Sequence, residues 1–163
     1  MKTQRLAIIF AGTTALLLSL PAVAAEKITG VNKDLQMLSE LTAVVPDKPG
    51  HSVKQVTWIW KTSSPEWGES WASAVEQQET VGTDNTVKGY GSNHYPNGDV
   101  NYFSWEGTSK VTPKEGGAFD MAGLGKFTWL GGTGKHNVKG PGTYTCKFTQ
   151  AGGTCDWQGE AGM

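Results

Sequence analysis

Between Gln55 and Lys61 apolar and polar side chains change places at every step. Val56, Trp58 and Trp60 fall on one side, and Gln55, Thr57, Ile59 and Lys61 on the other. A period of two is that of a strand. Further strands are read at Thr86 to His94, Asp99 to Gly107, Gly125 to Leu130, Gly142 to Phe148 and Thr154 to Glu160. Tyr95-Pro96-Asn97-Gly98, between the first two of these, has the residues of a hairpin turn. Nearer the start, Ile28 to Val31 reads as one strand and Leu35 to Val45 as another, before Pro46-Asp47-Lys48-Pro49-Gly50 breaks regular structure. The stretch Ser64 to Val81 admits two readings. Ser64 as a cap, Pro65 in the first position and Trp67, Trp71, Ala74 and Val75 at helical spacing favour a loop with one short helix near residues 65–78. The same residues also suit an extended edge. Short strands separated by turn signals predict an all-β antiparallel barrel or sandwich.

Composition narrows this picture. Lys2 and Arg5, an apolar run from Leu6 to Leu20 and the small residues Pro21-Ala22-Val23-Ala24-Ala25 have the order of a secretory signal peptide over residues 1–25. The run is shorter than the ~20 residues of a spanning helix, so no membrane insertion is expected after cleavage. Residues 26–163 then form one domain, in the periplasm or secreted. With Lys2 and Arg5 gone, twelve basic side chains face fifteen acidic ones, a net charge of -3 that argues against nucleic acid as a partner. An outer-membrane barrel is disfavoured by Lys54, Lys61, Lys88 and Lys126, scattered through or beside the strands.

An oxidising compartment gives the two cysteines a simple role. If the chain reverses near Gln150-Ala151, Cys146 and Cys155 sit opposite one another on paired strands, within reach of a disulfide. Their spacing is not that of a redox pair, and no histidine lies near enough to suggest a metal site.

Three segments end in Trp-x-Gly: Trp105-Glu106-Gly107, Trp129-Leu130-Gly131 and Trp157-Gln158-Gly159. In each, the Trp shares a face with the residue two before it, so alternate strands present one aromatic layer. That layer either fills the core or lines a cavity. In the second case Trp58, Trp60, Phe103, Trp105, Phe127, Trp129 and Trp157 are the expected ligand contacts, since an eight-stranded barrel is wide enough for one small molecule.

Other chemistry is sparse. Gly131-Gly132-Thr133-Gly134-Lys135 lacks the first glycine and the Ser or Thr of a phosphate loop, and reads as a tight turn between strands. His51, His94 and His136 are far apart and read as surface or turn residues, with no metal expected. Tyr102, Ser104 and Glu106 share one strand face, and His94 starts the hairpin leading to them. Glu106, Tyr102 and His94 are therefore the catalytic candidates, provided that this face, rather than the Phe103/Trp105 face, points inward.

Pro96-Asn97-Gly98-Asp99 leading to Trp105-Glu106-Gly107, then Gly131 to Lys135, Gly140-Pro141-Gly142-Thr143-Tyr144 and Cys155-Asp156-Trp157-Gln158-Gly159-Glu160, resemble the allene oxide cyclase and dirigent barrel superfamily. The resemblance, closest to its small secreted bacterial members, spans roughly Thr86 to Glu160. It implies an eight-stranded antiparallel, calycin-like barrel with an apolar cavity. It also implies cofactor-free cyclisation or coupling of a reactive hydrophobic intermediate, often in homodimers or homotrimers. Three functions are expected from these readings: binding of a small hydrophobic or aromatic molecule in the interior, isomerase, cyclase or lyase chemistry in the same cavity, or a structural or interaction barrel with a filled core.

Overall fold

The computed structural model describes residues 25–162, so the signal-peptide reading lies, but for Ala25, outside the described residues. Eight antiparallel strands follow one another around a closed barrel: β1 (Glu26–Val44), β2 (His51–Ser64), β3 (Gly68–Val81), β4 (Asp84–His94), β5 (Val100–Pro113), β6 (Phe119–Gly132), β7 (Lys139–Thr149) and β8 (Gly152–Ala161). Each strand pairs with its chain neighbours, and β1 pairs with β8 from Glu26↔Ala161 to Asn32↔Cys155. Helical structure among the described residues is confined to single 3-10 turns at Glu115–Gly117 and Gly134–His136. None is long and apolar enough to cross a membrane.

The helix expected near residues 65–78 is absent. Ser64 does cap, but it closes a turn: its hydroxyl accepts the Trp67 amide at 3.2 Å, and the chain then enters β3. From there Ser70, Ala72, Ala74, Glu76 and Gln78 face inward while Glu69, Trp71, Ser73, Val75 and Gln77 face out. The small residues have a reason to be there. Ala72 and Ala74 lie across from Trp60 and Trp58 on β2 and leave lumen space for those indoles. Trp71 instead stands outside, with the Lys61 ammonium 5.1 Å from its ring centre.

The two short strands expected before Pro46 are one long strand. β1 is irregular between Lys33 and Gln36 and between Met37 and Ser39, and Asp34 adopts φ 55°. Such bulges shift the inward-outward alternation without ending the ladder to β2.

The two ends of the barrel differ. At the end formed by the 65–67, 95–99 and 133–138 turns, Trp67 covers the lumen, its ring 4.7 Å from that of Trp129. Tyr95 stacks on His136 at 3.4 Å, and Trp67 meets the same imidazole edge-on. His136 belongs to a turn, as expected, yet it is buried rather than on the surface. Its Nδ1 lies 3.1 Å from Asp99 Oδ2, and its carbonyl accepts from the Asn101 amide. Asp99 is held below the usual carboxylate range, first by the Asn97 amide and then by His136. At the opposite end β1 beyond Asn32 has lost β8 and pairs with β2 alone, so the barrel opens there into a mouth.

Candidate functional site

Inside the barrel, large rings and glycines are matched across neighbouring strands. Gly89 pairs with Trp105, Gly91 with Phe103, Gly142 with Phe127, Gly125 with Tyr144 and Gly30 with Trp157. In each case a Cβ on the glycine would run into the partner's ring. A sheet curled tightly enough to close on itself crowds its inner face, and removing one side chain of each pair lets the other lie flat against the backbone.

The closed half of the lumen is solid. Trp60, Phe103, Phe127 and Trp129 are buried in one cluster, with Trp60–Phe103 centroids 6.0 Å apart and Phe127–Trp129 5.0 Å apart. Above this floor the lumen is hollow. A cavity of about 160 Å³ runs toward the mouth, walled by Trp58, Trp105, Tyr144 and Trp157 and rimmed by Phe148, Met121 and the Cys146–Cys155 disulfide. A polar layer also borders it: Gln78 and Thr80 both donate to Asn85 Oδ1, at 3.0 and 2.7 Å, and the Asn85 amide donates to Ser109. On the β1 side Asn32 accepts from the Trp157 indole at 3.0 Å and from the Thr62 hydroxyl at 2.9 Å.

One ionisable acid faces this cavity. The carboxylate of Glu76 on β3 receives the Trp58 indole N–H on one oxygen and the Trp105 indole N–H on the other, both at 3.3 Å. Burial pushes Glu76 above the ordinary glutamate range, and the two indole donors oppose that rise. Tyr144 on β7 is likewise pushed up, first by burial and then by the charges of Glu76 and Glu106. Among the described residues no arginine, lysine or histidine lines the cavity.

All seven aromatic residues singled out as ligand contacts line the cavity or its floor. The three catalytic candidates do not. Phe103 and Trp105 take the inward face of β5, so Tyr102 and Glu106 point outward, Tyr102 being 53% exposed. Glu106 lies between Lys88 and Lys126 of the adjacent strands on the outer surface. His94 is exposed too, its Nε2 2.9 Å from the Ser92 hydroxyl. Sequence reasoning missed Glu76 because it fell inside the stretch read as helical. The run Ala72-x-Ala74-x-Glu76-x-Gln78, taken at period two, is the signal that would have found it. No group of three or more His, Cys, Asp or Glu side chains suited to a metal occurs among the described residues.

The chain matches no protein-family model, no curated protein and no solved structure, so its site is defined by its own geometry.

Proposed function

We propose that the barrel binds a small hydrophobic or aromatic molecule in the upper half of its lumen. The observation that carries this reading is that Trp58, Trp105 and Trp157 pack against the aromatic floor on one side and border the open cavity on the other, so that they point into the barrel yet stay only half-buried. Protein interiors are normally filled to crystal-like density, and this chain does so in its closed half. Space bordered by indole faces is unfavourable to leave to water and favourable to fill with an apolar guest. The disulfide supports an oxidising location, in keeping with a periplasmic or secreted protein.

The test is thermal unfolding with toluene and indole as probes, together with native mass spectrometry of protein from its own source. A guest bound only by the folded state adds about 2.7 kcal/mol at a hundred times its Kd, enough to raise Tm by several degrees. Val87→Trp, which fills the lumen from β4, should abolish that rise. Unchanged melting with both probes, or an equal rise in the filled variant, would remove the reading.

A second reading rests on Glu76. A carboxyl group with a raised proton affinity inside an aromatic cavity can move a proton on a bound substrate, as a cofactor-free isomerase, cyclase or lyase requires. This is the chemistry implied by the resemblance to allene oxide cyclase and dirigent barrels, with Glu76 in place of Glu106, Tyr102 and His94. Loss of turnover in Glu76→Gln with guest binding intact would separate it from binding alone.

A further inference from the structure

We propose that the guest is a small organic monocation, an ammonium group on a compact apolar body, with its charged head against Glu76 between Trp58 and Trp105. This rests on the binding reading above and specifies the chemical class of the guest. Three observations converge on it. Among the described residues Glu76 is the one charged side chain lining the cavity, and those around it supply no counter-ion. On the same face of β2, nearer the rim, Lys54 is already engaged by Glu40 at 3.1 Å. The two indole N–H groups, each at 3.3 Å, leave the carboxylate short of its acceptor capacity of about four lone-pair sites. Finally, the walls are aromatic, and electron-rich ring faces attract cations and disfavour anions, most strongly where water is excluded.

An anionic guest would meet the carboxylate with no positive group to offset it. A neutral guest would leave the ionised carboxylate without a counter-ion in a site of low polarity, a cost that Glu76 escapes only by taking up a proton. An ammonium group supplies both the missing charge and the missing donors. Size limits the body. A cavity of about 160 Å³ is close to the ~150 Å³ that holds one benzene ring, so a single ring or an alkyl chain of similar bulk fits beside the head. The groups facing Glu76 do not alter this balance. β2 offers Trp58, β4 Gly89 and Val87, β5 Trp105 and β7 Tyr144, whose phenol burial keeps neutral.

The experiment uses three probes of one shape: benzylamine, benzyl alcohol and benzoate, titrated calorimetrically into the wild-type protein at pH 8. Benzylamine should bind at least tenfold more tightly than benzyl alcohol, and benzoate should be the weakest. Glu76→Gln should abolish the preference for the amine while leaving benzyl alcohol affinity within threefold. Equal binding of amine and alcohol, tightest binding of benzoate, or an amine preference that survives Glu76→Gln would overturn the cation assignment. Each of those results leaves apolar binding in the lumen standing. Failure of all three probes and of toluene to bind would remove both. The wild-type series does not depend on any variant folding.

Discussion

At the scale of single residues, the barrel is organised by what is absent opposite each ring. Gly89 is the clearest case. Its missing side chain lets the Trp105 indole lie across β4, and in that position Nε1 donates to Glu76. Gly89→Ala should force the indole aside and destabilise the protein by about 1–3 kcal/mol, the usual effect of overpacking. Urea unfolding would measure the loss, and a shifted tryptophan emission in the folded state would report the displaced ring. Glu76 has the opposite character, because its own presence is unfavourable to folding. Its folded-state proton affinity is raised, so its contribution favours the folded state in acid and is lost as pH rises through the raised value. Glu76→Gln keeps the shape and removes the charge, although its single carbonyl oxygen accepts from only one of the two indoles. At pH 7 to 8 it should therefore be more stable than wild type by on the order of 1 kcal/mol. The advantage should shrink as pH falls toward the ordinary glutamate range. Paired melting curves from pH 4 to pH 8 would show it, and a variant less stable than wild type at pH 8 would contradict the account.

At the scale of elements, what the sequence discloses depends on whether local patterning and tertiary pairing agree. β2 was readable because Val56, Trp58 and Trp60 alternate without interruption, and the β4–β5 hairpin because Pro96, Asn97 and Gly98 can do little else. There Gly98 takes φ 86° and returns its amide to the Tyr95 carbonyl. β3 misleads for a physical reason: its inward positions are alanine, serine, glutamate and glutamine, so no hydrophobic stripe marks its buried face. The bulk those positions lack is supplied by Trp58 and Trp60 from β2, a pairing invisible within β3 itself. Glu76 was hidden along with it. The disulfide was accessible because both partners sit on one hairpin, Cys146 opposite Cys155. Its place in the barrel was not. Cys155 is the mouth-side end of the ladder between β8 and β1, so the bridge ties β7 to β8 where β8 loses its other neighbour. Cys146→Ser with Cys155→Ser should lower stability by about 2–3 kcal/mol on loop-closure grounds, and reductant should give wild type the same unfolding midpoint as the double variant.

For the molecule as a whole, closure depends on pairing the first strand with the last, a contact between residues more than a hundred positions apart that no local pattern announces. That seam is incomplete. From Glu26 to Gly30 β1 pairs with β8 alone, at Val31 and Asn32 with both neighbours, and from Gln36 to Val44 with β2 alone, where it exposes Met37, Leu38, Leu41 and Val44. The plugged end carries Trp67, Tyr95, His136 and Trp129 in mutual contact, whereas the mouth has a polar layer and an unfilled lumen. Opening free energy should therefore fall along β1 from the plug, where Ile28 is fully buried, toward the mouth, because amides over few buried contacts exchange through local rather than global unfolding. Hydrogen exchange should find the β1 amides paired with β8 protected to nearly the full unfolding free energy, and those beyond Met37 exchanging far sooner. Trp67→Ala, which removes the plug, should cost about 3–5 kcal/mol and lower the protection of the first group while leaving the second nearly unchanged. A guest seated against Trp58 and Glu76 should act from the other side: Met37 is the β1 partner of Trp58, so occupancy should slow exchange there first. Uniform protection along β1, untouched by either change, would mean that the barrel opens as one unit and that its mouth has no mobility of its own.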